Sequence, residues 1–280
     1  MLLADQLRSF HRRRIVVPVP DDALVLDVGS GDKPSWRADV LLDRYVSAEH
    51  AGQRSGTDAA RVTRPLFDAP ADDMPFADGA FDYAICSHVL EHVADPAAVV
   101  AELTRVAVAG YIEVPEVSSA KIIDFPSHLW WCRLDQTTDP ATLVFQAKDA
   151  AHFDADIAGY IARSGVEREL TDLLDRRFEH RIVSLAWTGD VAVRVDGTVS
   201  AELLKATMQA ESHHRVAQSL ATRLLTNLLT APARWRRRHV AIRHDDIVKS
   251  ELRRGDGAML ERRVYRSGAS APTSQSSVSQ

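Results

Sequence analysis

The chain has 280 residues, 45% of them hydrophobic and 26% charged, with a formal net charge of −5 at pH 7. This composition is sufficient for a buried core, and its slightly acidic balance excludes a protein drawn to nucleic acid by a global positive charge. Cys86 and Cys132 are too far apart for a disulfide framework, and no apolar run has the length of a signal peptide core or a membrane-spanning helix, so we expect a cytoplasmic protein.

Four short segments rich in β-forming residues predict the strands of one sheet: Ala23–Val28, Val40–Leu42, Phe81–His88 and Gly110–Pro115. Between the last two, Pro96 stands at a predicted helix start that Asp95 caps, and apolar residues recur on one helix face. Strands that alternate with helices predict an α/β fold. We expect a Rossmann-like, open and mostly parallel sheet with helices on both faces.

The pattern changes beyond Pro115 and predicts an α+β extension. Residues 116–150 lack a regular pattern and contain the aromatic cluster FPSHLWWC, after which Phe153–Ser164 is a predicted helix that ends at Gly165. HRIVSLAW and DVAVRV predict two antiparallel strands, and residues 200–230 are again helical. Residues 233–266 form a basic segment with a predicted helix, and the Ser-rich residues 267–280 are predicted to be disordered.

The stretch LVLDVGSGDKPSWRADVLLD, residues 24–43, has the composition of a ligand-binding turn. Gly29 and Gly31 allow a sharp turn after the first strand and a close approach by a ligand. A dinucleotide fingerprint would need a third glycine where Pro34 stands, and Asp27 would repel a pyrophosphate. Asp27 instead suits a cationic ligand, and Asp43 suits a ribose diol, because a carboxylate accepts hydrogen bonds from both hydroxyls.

Residues 22–116 resemble a known enzyme family. VLDVGSGD is similar to the first motif of class I S-adenosylmethionine-dependent methyltransferases, and DDMPFADGAFDYAICSHVLEHVADPAAVVAELTRVAVAGYIEVP resembles the type-11 branch of that family. The resemblance implies S-adenosylmethionine as the cofactor. It makes residues 22–116 the cofactor-binding core, residues 1–21 a leader, and residues 117–232 an acceptor-pocket insertion with the C-terminal part of the fold.

The resemblance also implies a role for each residue that matches a family motif. Asp27, Gly29 and Gly31 would contact the methionine end of the cofactor, and Asp43 would bind its ribose.

Asp68 would meet the adenine amino group and Met74 would flank the ring. Because one extra residue separates Asp68 from the MPF tripeptide, Asp72 or Asp73 is an alternative partner for the adenine. Ser87 and His88 would lie near the reactive methyl group.

The family's third motif glycine is replaced by Lys33, and eleven residues lie between Gly31 and Asp43. A parallel crossover with its helix needs about a dozen or more. We therefore expect no full helix there and expect the N-terminal segment to cover that sheet face. A regular helix would mean that the second strand is misplaced and that the ribose acid lies further on, for example at Glu49.

Methyl transfer to a hydroxyl requires alignment and removal of a proton, a task that suits histidine. His88 and His128 are the candidate general bases. Trp130 and Trp131, which follow His128 closely, are either core residues or part of an acceptor pocket. Asp82 has a predicted structural role.

His88, Glu91 and His92 are spaced i, i+3 and i+4 and would share a helical face. A Glu-His pair preceded by an acid at this spacing binds a divalent metal in some other methyltransferases, but here His88 takes the first position. The sequence therefore favours a packing role for Glu91 and His92, and we predict no metal.

The sequence favours an S-adenosylmethionine-dependent methyltransferase that O-methylates a small hydroxylated acceptor such as a sugar, glycolipid or specialised metabolite. No nucleic-acid partner or membrane span is predicted. Two alternatives stay open: an RNA-modifying methyltransferase that uses the basic run Arg234–Arg243, and a catalytically silent cofactor-binding subunit.

Overall fold

The computed structural model describes residue 11 and residues 14–47, 59–209, 228–232 and 240–266. Within these ranges the chain forms ten β-strands. In chain order they are β1 (Val25–Val28), β2 (Val40–Asp43), β3 (Leu66–Asp68), β4 (Phe81–Ser87), β5 (Ala107–Pro115), β6 (Trp130–Asp135), β7 (Thr142–Ala147), β8 (Ile182–Thr188), β9 (Ala192–Asp196) and β10 (Val264–Arg266).

The helices lie mostly in the second half of the chain. They are α1 (Pro96–Val106), α2 (Val117–Ile122), α3 (Ala155–Ser164), α4 (Glu167–Arg176), α5 (Phe178–Arg181), α6 (Ala201–Gln209) and α7 (His244–Ile247). Leu90–His92 and Ser250–Leu252 are 3-10 turns, and residues 228–232 are also helical. Among the described residues, no helix has the length and apolar character needed to cross a membrane.

Seven strands form one sheet in the order β10-β3-β2-β1-β4-β5-β8. Every neighbouring pair is parallel except β5 and β8. This arrangement confirms the predicted open, mostly parallel sheet. The strand order reverses its direction between β1 and β4, and ligands of such sheets bind beyond the carboxyl ends of the strands at that point.

Helix α1 packs on one face of the sheet. Its apolar residues recur at helical spacing and are buried in the main core together with Leu26 and Val28 of β1. The side chain of Asp95 accepts a hydrogen bond from the N–H of Ala98 at 3.0 Å, and Pro96 is the first helical residue. The predicted cap and helix start are therefore confirmed.

The opposite face is covered at β1 and β4 by extended chain. Ile15, Val17 and Val19 pack against Val25, Tyr83 and Ile85, and residues 14–20 contain no helix. The alternation of these apolar residues places their side chains on one side of the segment. The N-terminal segment thus covers this part of the sheet, as expected from the short crossover between Gly31 and Asp43.

The crossover from Gly31 to Asp43 contains turns and no helix, as predicted. The buried guanidinium of Arg37 donates to the carbonyl oxygens of Pro20 (2.6 Å) and Ala23 (3.2 Å). These bonds hold the crossover against the segment that leads into β1.

The prediction that residues 116–150 are irregular is wrong, since they contain α2, β6 and β7. Strands β6 and β7 are antiparallel, and β9 joins β7 in parallel to complete a second sheet. The two strands predicted between residues 180 and 196 do not pair with each other, because β8 pairs with β5 in the main sheet. Helix α3 ends at Gly165 with a φ of 74°, as predicted.

The predicted basic helical segment over residues 233–266 is wrong where the structure describes it. Residues 240–266 contain only the four-residue α7 and a 3-10 turn before β10, which pairs in parallel with β3. Residues 267–280, residues 233–239 and most of the leader 1–21 lie outside the described residues.

Candidate functional site

The carboxyl ends of β1, β2, β4 and β5 meet at one edge of the main sheet. The segment Asp27–Gly31 runs across the end of β1, and Asp43 ends β2. His88 follows the end of β4, where Ser87 lies opposite Glu113 of β5 in the strand register. The sequence-predicted residues Asp27, Asp43, Ser87 and His88 therefore share this edge.

The turn after β1 is fixed by hydrogen bonds to β2. Gly29 and Gly31 have φ values of 69° and 50°, a conformation that favours glycine. The N–H groups of Gly29 and Ser30 donate to the carbonyl of Leu42 at 2.8 and 3.2 Å, and the N–H of Gly31 donates to Asp43 Oδ2 at 2.8 Å. The turn thus has a defined geometry next to the carboxylate of Asp43.

Gly29 is also required by its neighbour. A Cβ atom at Gly29 would lie 2.2 Å from Cγ2 of Val89, well inside van der Waals contact. Val89 follows His88 and precedes the 3-10 turn Leu90–His92. The turn after β1 and the turn after β4 therefore pack directly against each other.

Asp27 and Asp43 are two buried acids at neighbouring strand ends. Asp27 Oδ2 accepts the N–H of Ser35 at 2.7 Å, and Asp43 Oδ1 accepts the N–H of Tyr45 at 2.7 Å. Burial, opposed in part by the Ser35 hydrogen bond and assisted by the charge of Asp43, raises the pKa of Asp27 to about 7. Among the described residues neither acid forms an ion pair, so this edge favours a ligand with positive charge.

Asp68 and Met74 lie in different environments. Asp68 ends β3 directly opposite Asp43, and its carboxylate accepts from Arg266 at 3.1 Å. Met74 is fully buried in the main core, and its N–H donates to Glu102 at 2.7 Å. The prediction that Met74 flanks a bound ring disagrees with this position, because its side chain is enclosed by apolar neighbours.

Asp72 and Asp73, the alternative partners for the adenine, lie away from the carboxyl end of β3 where Asp68 stands. Asp72 is exposed, and Asp73 forms an exposed ion pair with Lys249 at 2.7 Å. Asp68 remains the acid at the carboxyl end of β3.

A hydrogen-bonded group of polar side chains lies at the ends of β4 and β5. Glu113 Oε1 accepts from Ser87 at 3.2 Å and lies 3.2 Å from His88 Nε2, while Glu113 Oε2 accepts from Tyr111 at 2.7 Å. His88 Nδ1 lies 3.1 Å from Glu91 Oε1. His88 is thus held between two carboxylates, with a left-handed φ of 57° and a side chain that is 46% exposed.

This arrangement does not suit His88 as a general base. Burial alone would lower its pKa, but hydrogen bonds to Glu113 and Glu91 outweigh burial and raise the pKa to about 9. The imidazolium has no lone pair to accept a proton. The position of His88, with each ring nitrogen beside a carboxylate, therefore disagrees with its sequence-based assignment as a general base.

His128 lies in a second cluster, with Glu91 and His92. Each of the three offers one potential ligand atom, and these atoms all lie within 4.8 Å of one another. The rings of His92 and His128 meet edge to face at 4.8 Å. Burial, followed by the charges of His92 and Lys148, holds the pKa of His128 well below its usual range. His128 is only 7% exposed, so its buried position disagrees with a role as a base for an acceptor in the cleft.

Trp130 and Trp131 are both buried. Trp130 Nε1 donates to the carbonyl of Val93 at 2.8 Å, and the ring of Trp131 lies 4.5 Å from Lys148 Nζ. These contacts favour the interpretation of both residues as core residues over a role in an acceptor pocket.

Comparison with known proteins gives a family for the part of the chain that carries this edge. Residues 26–111 match the family model described as a methyltransferase domain. An uncharacterized methyltransferase of Mycobacterium sp. (strain KMS) is 36% identical over 104 residues, which cover 34% of this chain and 38% of the relative. The chain thus matches well under half the length of that relative.

Residues 26–111 are thus the part of the chain that is similar to a methyltransferase domain.

Two solved structures are also similar to the chain. A SAM-dependent methyltransferase of Thermotoga maritima is 18% identical, with coverage of 41% of this chain and 51% of that one and a TM-score of 0.27. The methyltransferase in a complex with the Haloferax volcanii Trm112 methyltransferase activator is 15% identical, with coverage of 66% and 87% and a TM-score of 0.37. TM-scores this low support no inference about this chain.

The residues around β1 and β2 fit the cofactor of the methyltransferase domain, S-adenosylmethionine. That molecule is cationic and carries a ribose diol, and the domain offers two buried acids without a cationic partner among the described residues. The hydroxyl of Ser30, in the same turn, is buried without a hydrogen-bond partner in the described structure. A polar, cationic ligand would satisfy all three groups.

Sequence reasoning missed Glu113, which lies just beyond the residues that match the methyltransferase domain. It stands near the carboxyl end of β5, in the segment GYIEVP, where the other side chains are mostly apolar and buried. An acidic residue in an otherwise apolar, buried strand next to the end of β4 could have indicated a site residue. Ser30 carried no comparable signal, because a small polar residue is ordinary in a glycine turn.

Proposed function

We propose that the protein is an S-adenosylmethionine-dependent methyltransferase that methylates a hydroxyl oxygen of a small acceptor such as a sugar, a glycolipid or a specialised metabolite. The observation that carries the proposal is the pair of buried acids, Asp27 and Asp43, beside a glycine turn of fixed geometry in a methyltransferase domain. The enzyme class and the cofactor follow from the similarity to a methyltransferase domain, and the proposal adds the kind of acceptor.

The cofactor supplies an electrophilic methyl group on a sulfonium. The chain's task is to hold it and to align the acceptor oxygen, and the proton that the hydroxyl loses on methylation passes to water. Asp27 would stabilise the positive charge of the methionine end, and Asp43 would accept hydrogen bonds from the ribose hydroxyls. Asp68, at the end of the next strand, is the acid proposed to meet the adenine amino group.

The acceptor would bind at the ends of β4 and β5. His88 is the exposed member of a group whose other members, Ser87 and Glu113, are partly or fully buried. Polar groups with fixed hydrogen-bond directions support an acceptor that carries hydroxyls rather than an apolar one.

Calorimetry with the full chain tests the cofactor assignment. We expect S-adenosylmethionine and S-adenosylhomocysteine to bind and NAD not to bind. Binding of NAD without binding of either sulfur-containing ligand would refute the proposal.

The acceptor assignment is tested by incubating the protein with S-adenosylmethionine and panels of sugars, glycolipids, hydroxylated metabolites and RNA. We expect release of S-adenosylhomocysteine with a small hydroxylated acceptor, and fragmentation of the product should place the methyl group on oxygen. Methylation of nitrogen, or turnover with RNA alone, would contradict this acceptor class.

A further inference from the structure

The cluster of Glu91, His92 and His128 contains polar atoms that packing does not explain. Glu91 Oε2 and His128 Nδ1 are buried and have no hydrogen-bond partner among the described residues. Glu91 is fully buried and His128 is 7% exposed. Burying a polar group without a partner is costly, so such atoms call for a specific reason.

The hydrogen bonds of His92 define its tautomer. Its Nδ1 lies 2.9 Å from the carbonyl oxygen of Ser127, which can only accept, so Nδ1 carries the hydrogen. In the neutral imidazole Nε2 then carries the lone pair, and it lies 4.0 Å from Glu91 Oε1. That distance is too long for a hydrogen bond. Two electron-pair donors thus face each other with a gap between them.

The two chain segments that carry the cluster are fixed relative to each other. The N–H of Leu129 donates to the carbonyl of Glu91 at 2.7 Å, and the indole of Trp130 donates to the carbonyl of Val93 at 2.8 Å. The segment around His128 is thereby held beside the turn Leu90–His92. The three side chains are brought together by the backbone, without any direct hydrogen bond among them.

We propose that Glu91, His92 and His128 bind a divalent transition-metal ion of the zinc class. Two imidazole nitrogens and one carboxylate oxygen are a ligand set typical of zinc sites that keep a fourth position open. Bonds of about 2.0–2.2 Å in a tetrahedral site place ligand atoms about 3.4 Å apart. Small side-chain rotations therefore close the observed separation of up to 4.8 Å.

Outer contacts of the cluster are those expected around a metal. The carbonyl of Ser127 orients the ring of His92, and His88 donates to the same oxygen of Glu91 that faces His92. Such partners fix ligand orientation in metal sites. His92 has a side chain 19% exposed, which gives an ion a route from solvent.

The ligand set differs from the one that the sequence spacing suggested. Both ring nitrogens of His88 face carboxylates, Glu91 and Glu113, so neither is available to an ion. His128 takes the third position instead. The proposal departs from the sequence-based prediction of no metal, and it is independent of methyl transfer because ion binding needs neither cofactor nor acceptor.

Cobalt(II) is the probe, because its visible absorption reports tetrahedral coordination. The full-length protein is treated with a chelator, dialysed and titrated with Co²⁺, and the bound ion is then displaced with Zn²⁺. We expect one equivalent of Co²⁺ with intense visible bands that Zn²⁺ abolishes. We also expect Zn²⁺ to raise the melting temperature of the chelator-treated protein.

Conservative variants assign the ligands. Loss of a residue that only orients a metal ligand lowers metal affinity by about 10- to 100-fold. Loss of a ligand itself should have a larger effect, so we expect Co²⁺ affinity to fall by about 100-fold or more in each of His128→Gln, His92→Gln and Glu91→Gln. The exposed His180 is the matched control, and His180→Gln should bind like the wild type. His88→Gln should keep the visible bands with weaker binding.

Three results would overturn the proposal. One is the absence of tetrahedral Co²⁺ bands in the wild type. Another is a Co²⁺ affinity in folded Glu91→Gln, His92→Gln or His128→Gln equal to that of His180→Gln, with folding checked by near-ultraviolet circular dichroism. If one variant does not fold, the proposal is judged from the remaining variants and from the change in melting temperature that Zn²⁺ causes in the wild type. The third is stabilisation by Mg²⁺ but not by Zn²⁺.

Discussion

An alanine at Gly29 would test the packing between the turn after β1 and the turn after β4. The new Cβ would have to occupy a left-handed backbone conformation, since φ is 69°. That conformation costs a residue with a Cβ about 1–2 kcal/mol. The Cβ would also lie 2.2 Å from Cγ2 of Val89, and relief of such overpacking costs about 1–3 kcal/mol more. We expect Gly29→Ala to lower the free energy of unfolding by about 2–5 kcal/mol.

Gly79 provides the matched control, because its φ is 61° but a Cβ there would have no neighbour within 4 Å. Gly79→Ala should therefore show only the backbone cost. Urea denaturation followed by tryptophan fluorescence measures both variants, and changes in the unfolded chain cancel in the comparison. The double variant Gly29→Ala/Val89→Ala should recover part of the difference. Equal destabilisation by Gly29→Ala and Gly79→Ala would refute the reasoning.

Three further predictions concern charged residues. Asp43→Asn should weaken cofactor binding by about 10- to 100-fold, because charge-assisted hydrogen bonds contribute about 1.5–3 kcal/mol. Calorimetry should show no such loss for Asp82→Asn, whose carboxylate accepts the N–H of Leu24, the residue before β1. The pKa of Asp27 is raised from 3.8 to about 7 in the folded protein. Folding therefore disfavours the ionised form of Asp27, so the contribution of this residue to the free energy of unfolding falls as pH rises from about 4 to about 7. Affinity for the cationic cofactor should instead increase as pH rises through 7, because Asp27 then becomes negatively charged. Binding that does not change across this range, or an unchanged pH profile in Asp27→Asn, would contradict that prediction. Asp124 and Lys148 form a buried ion pair at 2.7 Å. Asp124→Asn should therefore lower the free energy of unfolding, measured by urea denaturation, by about 3–5 kcal/mol. A decrease below about 1 kcal/mol would contradict this prediction.

The elements that local sequence specifies were predictable. Strands β1, β2, β4 and β5 have short β-rich patterns, and the absence of a helix before Asp43 follows from the number of residues available. The cap at Asp95 and the stop at Gly165 are also local. At the site, Asp27, Asp43, Ser87 and His88 meet at the sheet edge because parallel strands end together.

The remaining features depend on contacts between distant segments. The two carboxylates beside His88 come from different elements, so neither the pKa of His88 nor its unsuitability as a base is visible in HVLEH. His128 lies beside Glu91 because hydrogen bonds such as that from the N–H of Leu129 to the carbonyl of Glu91 join two segments that are distant in sequence. Met74 begins the MPF tripeptide, for which the family resemblance implies a binding role, but it is buried in the same core as Phe76.

Because β10 pairs with β3, the main sheet can be completed only near the end of translation. Arg266 and Asp68, which end these strands, are 198 residues apart in sequence. Contacts over such a separation form slowly, and β3 keeps an open edge on the ribosome until residues 264–266 have emerged. An open parallel edge can pair with a neighbouring nascent chain. Tyr265, stacked 5.1 Å from Phe67, then covers an aromatic surface that would otherwise promote such association. Translation that stops before residue 240 should therefore yield aggregates rather than a smaller folded protein.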